Sequence, residues 1–406
     1  LLLVVAKIHG LELKSIDFVL AFPQADLDID IWMELPIGFQ TIEDPDHSQL
    51  YVLKLKKKLY GLKQASFNWY KKLWDGLKDR GFKPFKIDQC LYMKDGMVIL
   101  VYVDHCIIVS KDMGEIDEFV HSMQQGSENF VLTDEGSIDT FLGIEIKRLG
   151  KQEFEISQPF LIDHILVLLQ LEHNGFETDS HDKLKPTTPQ ILNKDLMGKP
   201  QKKSWMYQTT IGMYSYLQGH TQPDIYMPVH QTARFCNDPK LSHEQAITRI
   251  GRYLLGSRDK GIKYKVDLSK GLECYVDADF AGGWDQNDPH DANKLFSRSG
   301  FVIKYADCPI YWESKIQTEI ALSMAEAKYI ALSSSLWEVI PLMTVMDELN
   351  EVFPLLMETP QFYCKVWEDN VLYCDGHFAE MYASNKTYCP QVSSLQGPRQ
   401  VGTNSD

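Results

Sequence analysis

No run of eighteen apolar residues occurs in the 406-residue chain, and no two of its eight cysteines stand in C-x-x-C spacing. The first absence gives no membrane-span signal. The second argues against a zinc module or a disulfide framework, and scattered cysteines suit a reducing, intracellular compartment. The opening Leu1-Leu2-Leu3-Val4-Val5-Ala6 is cut by Lys7 and has no basic leader, so it reads as neither signal peptide nor anchor. With no initiator methionine and an immediate apolar run, the chain reads as a fragment. Also missing are a Gly-rich phosphate loop, a nucleophile elbow and a histidine pair at helical ligand spacing, which leaves an unrelated soluble α/β enzyme with little support.

Positive charge is short overall: the net charge of -15 argues against nucleic-acid binding through total charge. From Tyr51 to Lys86, however, eleven basic residues face two acids, a local balance of +9. Hydrophobic content of 44% with 11% aromatics is that of globular protein, and the length allows two or three domains.

The run Ile99-Leu100-Val101-Tyr102-Val103-Asp104-His105-Cys106-Ile107-Ile108-Val109 has β-branched apolar arms around a polar centre. It predicts two buried strands joined by a tight turn carrying Asp104 and His105. A carboxylate at such a tip must be paired, solvated at a cleft or metal-bound, because an unpaired buried charge is too costly. Upstream, Leu1 to Ile8 reads as a helix end stopped by Gly10, followed by a segment containing Asp17. Alone, Asp17 would read as a helix N-cap or a turn residue.

In Leu55 to Tyr70, Gly61 allows close backbone approach, Lys63 and Gln64 offer donors, and Lys56, Lys57 and Lys58 suit phosphates. The bland alternative is a solvated basic face. Tyr60, Phe67, Trp69 and Tyr70 interleave with the lysines, some of them as core. Further on, a helix is expected from Pro159 to about Leu171, then a polar linker over 173–203, then packing helices over 207–256. Strands follow from Gly271, and a helix from about Ser323 carries an apolar stripe for a sheet.

These blocks together resemble the polyprotein of copia-type LTR retrotransposons. Ser15-Ile16-Asp17-Phe18-Val19-Leu20-Ala21-Phe22 is similar to its first polymerase motif, Ile31 to Phe39 continues the match, and Leu59-Tyr60-Gly61-Leu62-Lys63-Gln64-Ala65 is its most specific run, with Ser66 where the family has proline. Tyr102-Val103-Asp104-His105 resembles the Tyr-Val-Asp-Asp box, with His105 in place of the second aspartate. Phe141-Leu142-Gly143-Ile144-Glu145 resembles the strand that helps hold the primer end. The resemblance implies an α+β fold: truncated fingers and a right-hand palm over 1–155, thumb and connection helices over 156–265, and a ribonuclease H-like α/β domain over 270–370. Residues 371–406 match nothing and read as a disordered tail.

The resemblance implies RNA-directed DNA polymerisation and ribonuclease H cleavage. Mg²⁺ or Mn²⁺ would be held by Asp17 and Asp104 in the first module and by Asp277, with Asp279 its close alternate, and Asp369 in the second. It also assigns Phe22, Gly61, Lys63, Gln64 and Tyr102 to nucleotide and template, and suggests Lys56 to Lys58 for the nucleic-acid backbone. The partners implied are an RNA template, a DNA primer, RNA/DNA hybrid and deoxynucleoside triphosphates, with no membrane. Two departures stand out. His105 replaces a carboxylate, and a neutral imidazole is a poor magnesium ligand unless manganese or water mediates. Lys328 replaces what reads as the ligand glutamate in Ala325-Glu326-Ala327-Lys328-Tyr329, and Glu326 lies about 200° around the helix. The family's later histidine-and-aspartate block is absent. The expectation is impaired or lost chemistry, the alternative a domesticated, non-catalytic binder of RNA or RNA/DNA hybrid.

Overall fold

The computed structural model describes residues 1–36, 51–125, 129–171, 185–188, 192–203, 205–283, 295–355, 363–368 and 379–383. They form mixed α/β structure in two compact units, one of residues 9–138 with 351–353, the other of residues 1–8, 139–350 and 354–406. Helix α1 (Leu2–His9) matches the helix end expected there, with Gly10 in left-handed backbone after it.

The smaller unit runs β1 (Glu12–Phe18), α2 (Ala21–Gln24), β2 (Trp32–Glu34), β3 (Val52–Lys54), α3 (Ala65–Asp79), β4 (Lys83–Pro84), β5 (Leu91–Lys94), β6 (Met97–Tyr102), β7 (His105–Ser110), α4 (Met113–Gln125) and β8 (Leu132–Ser137). Its main sheet has the order β4-β5-β6-β7-β1-β8, every pairing antiparallel. β6 and β7 are the predicted hairpin, buried along nearly their whole length as suits central strands. Trp69, Leu73 and Leu77 of α3 and Ile116, Val120 and Met123 of α4 join Ile16, Phe18, Ile99 and Ile108 in one core.

Gly76 in α3 lies so close to Phe130 that an added Cβ would sit 2.6 Å from the ring. Gly76→Ala should lower stability, since overpacking costs about 1–3 kcal/mol against a helix-propensity gain of about 1 kcal/mol. A lower urea midpoint would show it; an unchanged or higher midpoint would mean that the ring yields freely.

The larger unit continues with β9 (Thr140–Phe141), β10 (Ile144–Arg148), β11 (Glu153–Ser157), α5 (Pro159–Leu168), α6 (Tyr207–His220), α7 (Tyr226–Ala233), α8 (Leu241–Ser257), β12 (Ile262–Lys265), β13 (Leu272–Ala278), β14 (Arg298–Tyr305), β15 (Cys308–Ile316), α9 (Met324–Val352), β16 (Cys364–Glu368) and β17 (Ala379–Ala383). A four-stranded sheet has the order β12-β11-β10-β9, and a five-stranded sheet the order β15-β14-β13-β16-β17. Only the β13–β16 pairing of the latter is parallel. Helices α5 to α8 share a separate core that includes Ile165, Tyr214, Leu217, Ile250 and Leu254.

Two expectations, on the Phe141 to Glu145 strand and on the tail, need correcting. Phe141 to Glu145 is not one strand: Leu142 and Gly143 both have positive φ and turn β9 back on β10. The compact units divide at 138/139, and β10 pairs with β11 in the second sheet. Part of the supposed tail is structured, since β17 lies antiparallel to β16; the remainder of 371–406 lies outside the described residues, as do residues 173–184 and 189–191 of the linker. Helix α9 is long and apolar enough to cross a membrane by length and composition alone; of its expected stripe Leu332, Leu336, Val339 and Met343 are buried, whereas Tyr329 and Ile340 are exposed. At its start the Glu326 amide donates to Ser323 Oγ and the Glu326 carboxylate accepts from the Leu322 amide, a reciprocal capping that explains why the helix begins there.

Candidate functional site

The β6–β7 turn contains only Val103 and Asp104, and β1 runs beside β7 so that Asp17 stands opposite His105. Val103 has φ +58°, an unfavourable left-handed conformation for a β-branched residue. Two hydrogen bonds hold this turn. The Trp69 indole N–H donates to the Val103 carbonyl at 2.7 Å, and the Phe18 amide donates to the Asp104 carbonyl at 2.9 Å.

Three half-buried side chains therefore converge. His105 Nδ1 lies 2.5 Å from Asp17 Oδ1 and 3.8 Å from Asp104 Oδ1. One ligand atom from each residue falls within 4.8 Å of the others, and among the described residues this is the only His/Cys/Asp/Glu group with such spacing. The Asp17–His105 contact is short but lacks hydrogen-bond alignment, and His105 Nδ1 is buried without a hydrogen-bond partner. Two carboxylates and an imidazole so arranged fit a divalent cation. The nitrogen makes them poorer for Mg²⁺ than three oxygens would be.

Tyr60 borders the group. Desolvation, then the charge of Asp104 with a side-chain hydrogen bond to it, then Asp17, push its phenol above the usual value. Its ring lies 4.5 Å from that of Phe22, so the two aromatics form one wall. Sequence reasoning treated Tyr60 only as an interleaved aromatic; its place beside Gly61 was the available signal. Gly61 has φ +94°, which favours glycine, Lys63 is exposed, Gln64 is the residue before α3, and Tyr102 is exposed beside the turn.

The basic run is less available than its count implies. Lys58 is fully buried and donates to Asp28 at 2.7 Å, Lys57 pairs with Asp26 at 2.6 Å and Lys54 with Asp30 at 2.7 Å, whereas Lys56 is exposed. Hydrogen bonds from Lys58 and Asn68 hold the Asp28 carboxyl down at about 2, and Lys57 lowers that of Asp26. The expectation that Lys56, Lys57 and Lys58 form one phosphate-facing row is thus corrected for Lys58, whose ammonium points inward to its partner.

A second group forms in the larger unit. Lys328 of α9 is buried, its Nζ 3.9 Å from Asp277 Oδ1 on β13 and 3.8 Å from Glu368 Oε1 on β16. An ammonium thus sits between two carboxylates, a set that does not fit a dication. Asp279 instead accepts from the Arg298 amide, and Asp369 lies outside the described residues. Glu368 was not singled out from the sequence, because its approach to Lys328 depends on the parallel β13–β16 pairing.

Residues 1–180 match the family described as reverse transcriptase (RNA-dependent DNA polymerase). The chain is 30% identical over 391 residues, 93% of its length, to the retrovirus-related Pol polyprotein from transposon TNT 1-94 of Nicotiana tabacum, covering 27% of that protein. It is 30% identical over 374 residues to the corresponding polyprotein from transposon RE1 of Arabidopsis thaliana, with 90% of this chain and 23% of that one covered. A putative transposon Ty5-1 protein of Saccharomyces cerevisiae is 28% identical over 331 residues, 79% of this chain and 98% of that one. The chain thus spans about a quarter of the length of the plant polyproteins it matches.

Proposed function

We propose, because residues 1–180 match the reverse transcriptase family and most of the chain is similar to Pol polyproteins of plant transposons, that its smaller unit is a polymerase palm for RNA-directed DNA synthesis, with reduced chemical efficiency. The observation that carries this reading is the convergence of Asp17 and Asp104 at the strand ends, with His105 where the family has a third carboxylate. Asp17 and Asp104 would hold the divalent cation; when bound, such an ion stabilises charge developing on the attacking and leaving oxygens. Phe22 and Tyr60 would wall the nucleotide, Tyr102 would border the primer end, and Gly61, Lys63 and Gln64 would meet the template. The partners are then an RNA template, a DNA primer and deoxynucleoside triphosphates inside the cell.

Helices α5 to α8 would serve as thumb and connection. The five-stranded sheet with α9 would be a ribonuclease H-like domain in which Asp277 and Asp369 keep ligand positions and Lys328 fills a third, so efficient hybrid cleavage is not expected. Primer extension on an RNA template tests the polymerase reading. Weak Mn²⁺-supported incorporation that Asp17→Asn abolishes is the expected result; identical incorporation by that variant would remove the site from consideration.

A second reading, binding of RNA or RNA/DNA hybrid without chemistry, is favoured by exposed Lys56, Lys63, Phe67 and Tyr70 beside a compromised ligand set. Its signature is salt-sensitive hybrid binding in the absence of extension.

A further inference from the structure

We infer that His105 is itself a metal ligand, and that the Asp17–Asp104–His105 group selects a first-row transition-metal dication over Mg²⁺. This rests on reading Asp17 and Asp104 as metal carboxylates. It adds a nitrogen donor and the preference that donor imposes.

The geometry carries the argument. His105 Nδ1 is the atom of the ring turned toward both carboxylates, 2.5 Å from one and 3.8 Å from the other. It is buried without a hydrogen-bond partner, and the short Asp17 contact lacks hydrogen-bond alignment. With the lone pair of Nδ1 turned to the carboxylates, a nitrogen and an oxygen this close would repel unless a cation lay between them, and a shared cation is what we infer there. Neighbouring donors on one dication with bonds of about 2.1 Å lie roughly 3 Å apart, and the observed separations bracket that value. Only small shifts are therefore needed, and the register Asp17↔His105, with the Phe18 amide bonded to Asp104, fixes the backbone from which the three side chains project.

The chemistry of the donors sets the preference. Mg²⁺ favours an all-oxygen shell and gives up its waters reluctantly, whereas imidazole is a good ligand for first-row transition ions. Replacing a carboxylate by a neutral nitrogen also lowers the site's negative charge, which costs a hard ion more than one that bonds well to nitrogen.

Mn²⁺ is the probe, added to the full chain at mildly alkaline pH. Pulsed electron paramagnetic resonance should show ¹⁴N modulation from bound Mn²⁺ in the native protein, lost in His105→Gln and in Asp17→Asn while circular dichroism stays unchanged. In competition, the Mg²⁺-to-Mn²⁺ ratio needed for half displacement should be at least about tenfold higher for the native protein than for His105→Asp. Absence of ¹⁴N modulation, absence of Mn²⁺ binding, or equal displacement ratios would overturn the inference. Primer extension is scored separately. Nitrogen-coupled Mn²⁺ without extension sinks the polymerase reading and leaves the ligand assignment standing; extension with purely oxygen-bound Mn²⁺ does the reverse.

Discussion

His105→Asp is expected to raise Mg²⁺-supported primer extension on an RNA template by a factor of roughly thirty or more. A unit charge about 4 Å from another contributes about 4 kcal/mol at an effective dielectric near 20, hence about 8 kcal/mol against a dication as an upper bound. If a quarter of that is realised in the transition state, about 2 kcal/mol, the rate changes by a factor of roughly thirty. The strand register favours the exchange, because position 105 already faces Asp17 and lies beside Asp104. Single-turnover extension rates, native against variant, supply the measurement. Equal rates would mean that the imidazole is no handicap and that the efficiency of this site is set elsewhere.

Lys328→Met should destabilise the larger unit by about 3 kcal/mol, the lower end of what removing one partner of a buried ion pair costs. Lys328 and Glu368 side chains are each only 9% exposed, and the Lys328 ammonium lies 3.8 Å from Glu368 Oε1. Removing the ammonium leaves a buried carboxylate without that cation beside it. Asp277 adds little, being 76% exposed. Much of the loss should return in the double variant Lys328→Met, Glu368→Gln. Urea denaturation of the four proteins of this cycle gives the coupling directly; a double variant no more stable than Lys328→Met would contradict the pairing.

The Asp104–His105 turn was legible because its signals are local, β-branched arms around a two-residue centre, and α8 and α9 were legible from their short-range periodicity. What required the fold were meetings between distant segments. The excess of lysines from 51 to 86 looked like an open basic face, and its partners Asp26, Asp28 and Asp30 lie upstream, outside any window centred on the lysines. Tyr60 could be named as an aromatic but not as a neighbour of Asp104. Glu368 carries no local signal, and its contact with Lys328 exists only because β16 lies parallel to β13. The Leu142-Gly143 reversal is the opposite case: the glycine was a turn signal in plain view, overridden by reading the motif as one continuous strand.

The antiparallel seam between β1 and β7 runs from Glu12 opposite Ser110 to Asp17 opposite His105, positions far apart in the chain. Closing a loop of that length costs entropy before any ladder hydrogen bond repays it, and non-local pairings of this kind slow folding. The hairpin of β6 and β7 can form from neighbouring residues, but Asp17 reaches His105 only when the seam closes. During synthesis the first aspartate therefore waits for the ribosome to release the whole hairpin, and the meeting of Asp17 with His105 is acquired late, a reporter of completed folding rather than of the chain as it emerges.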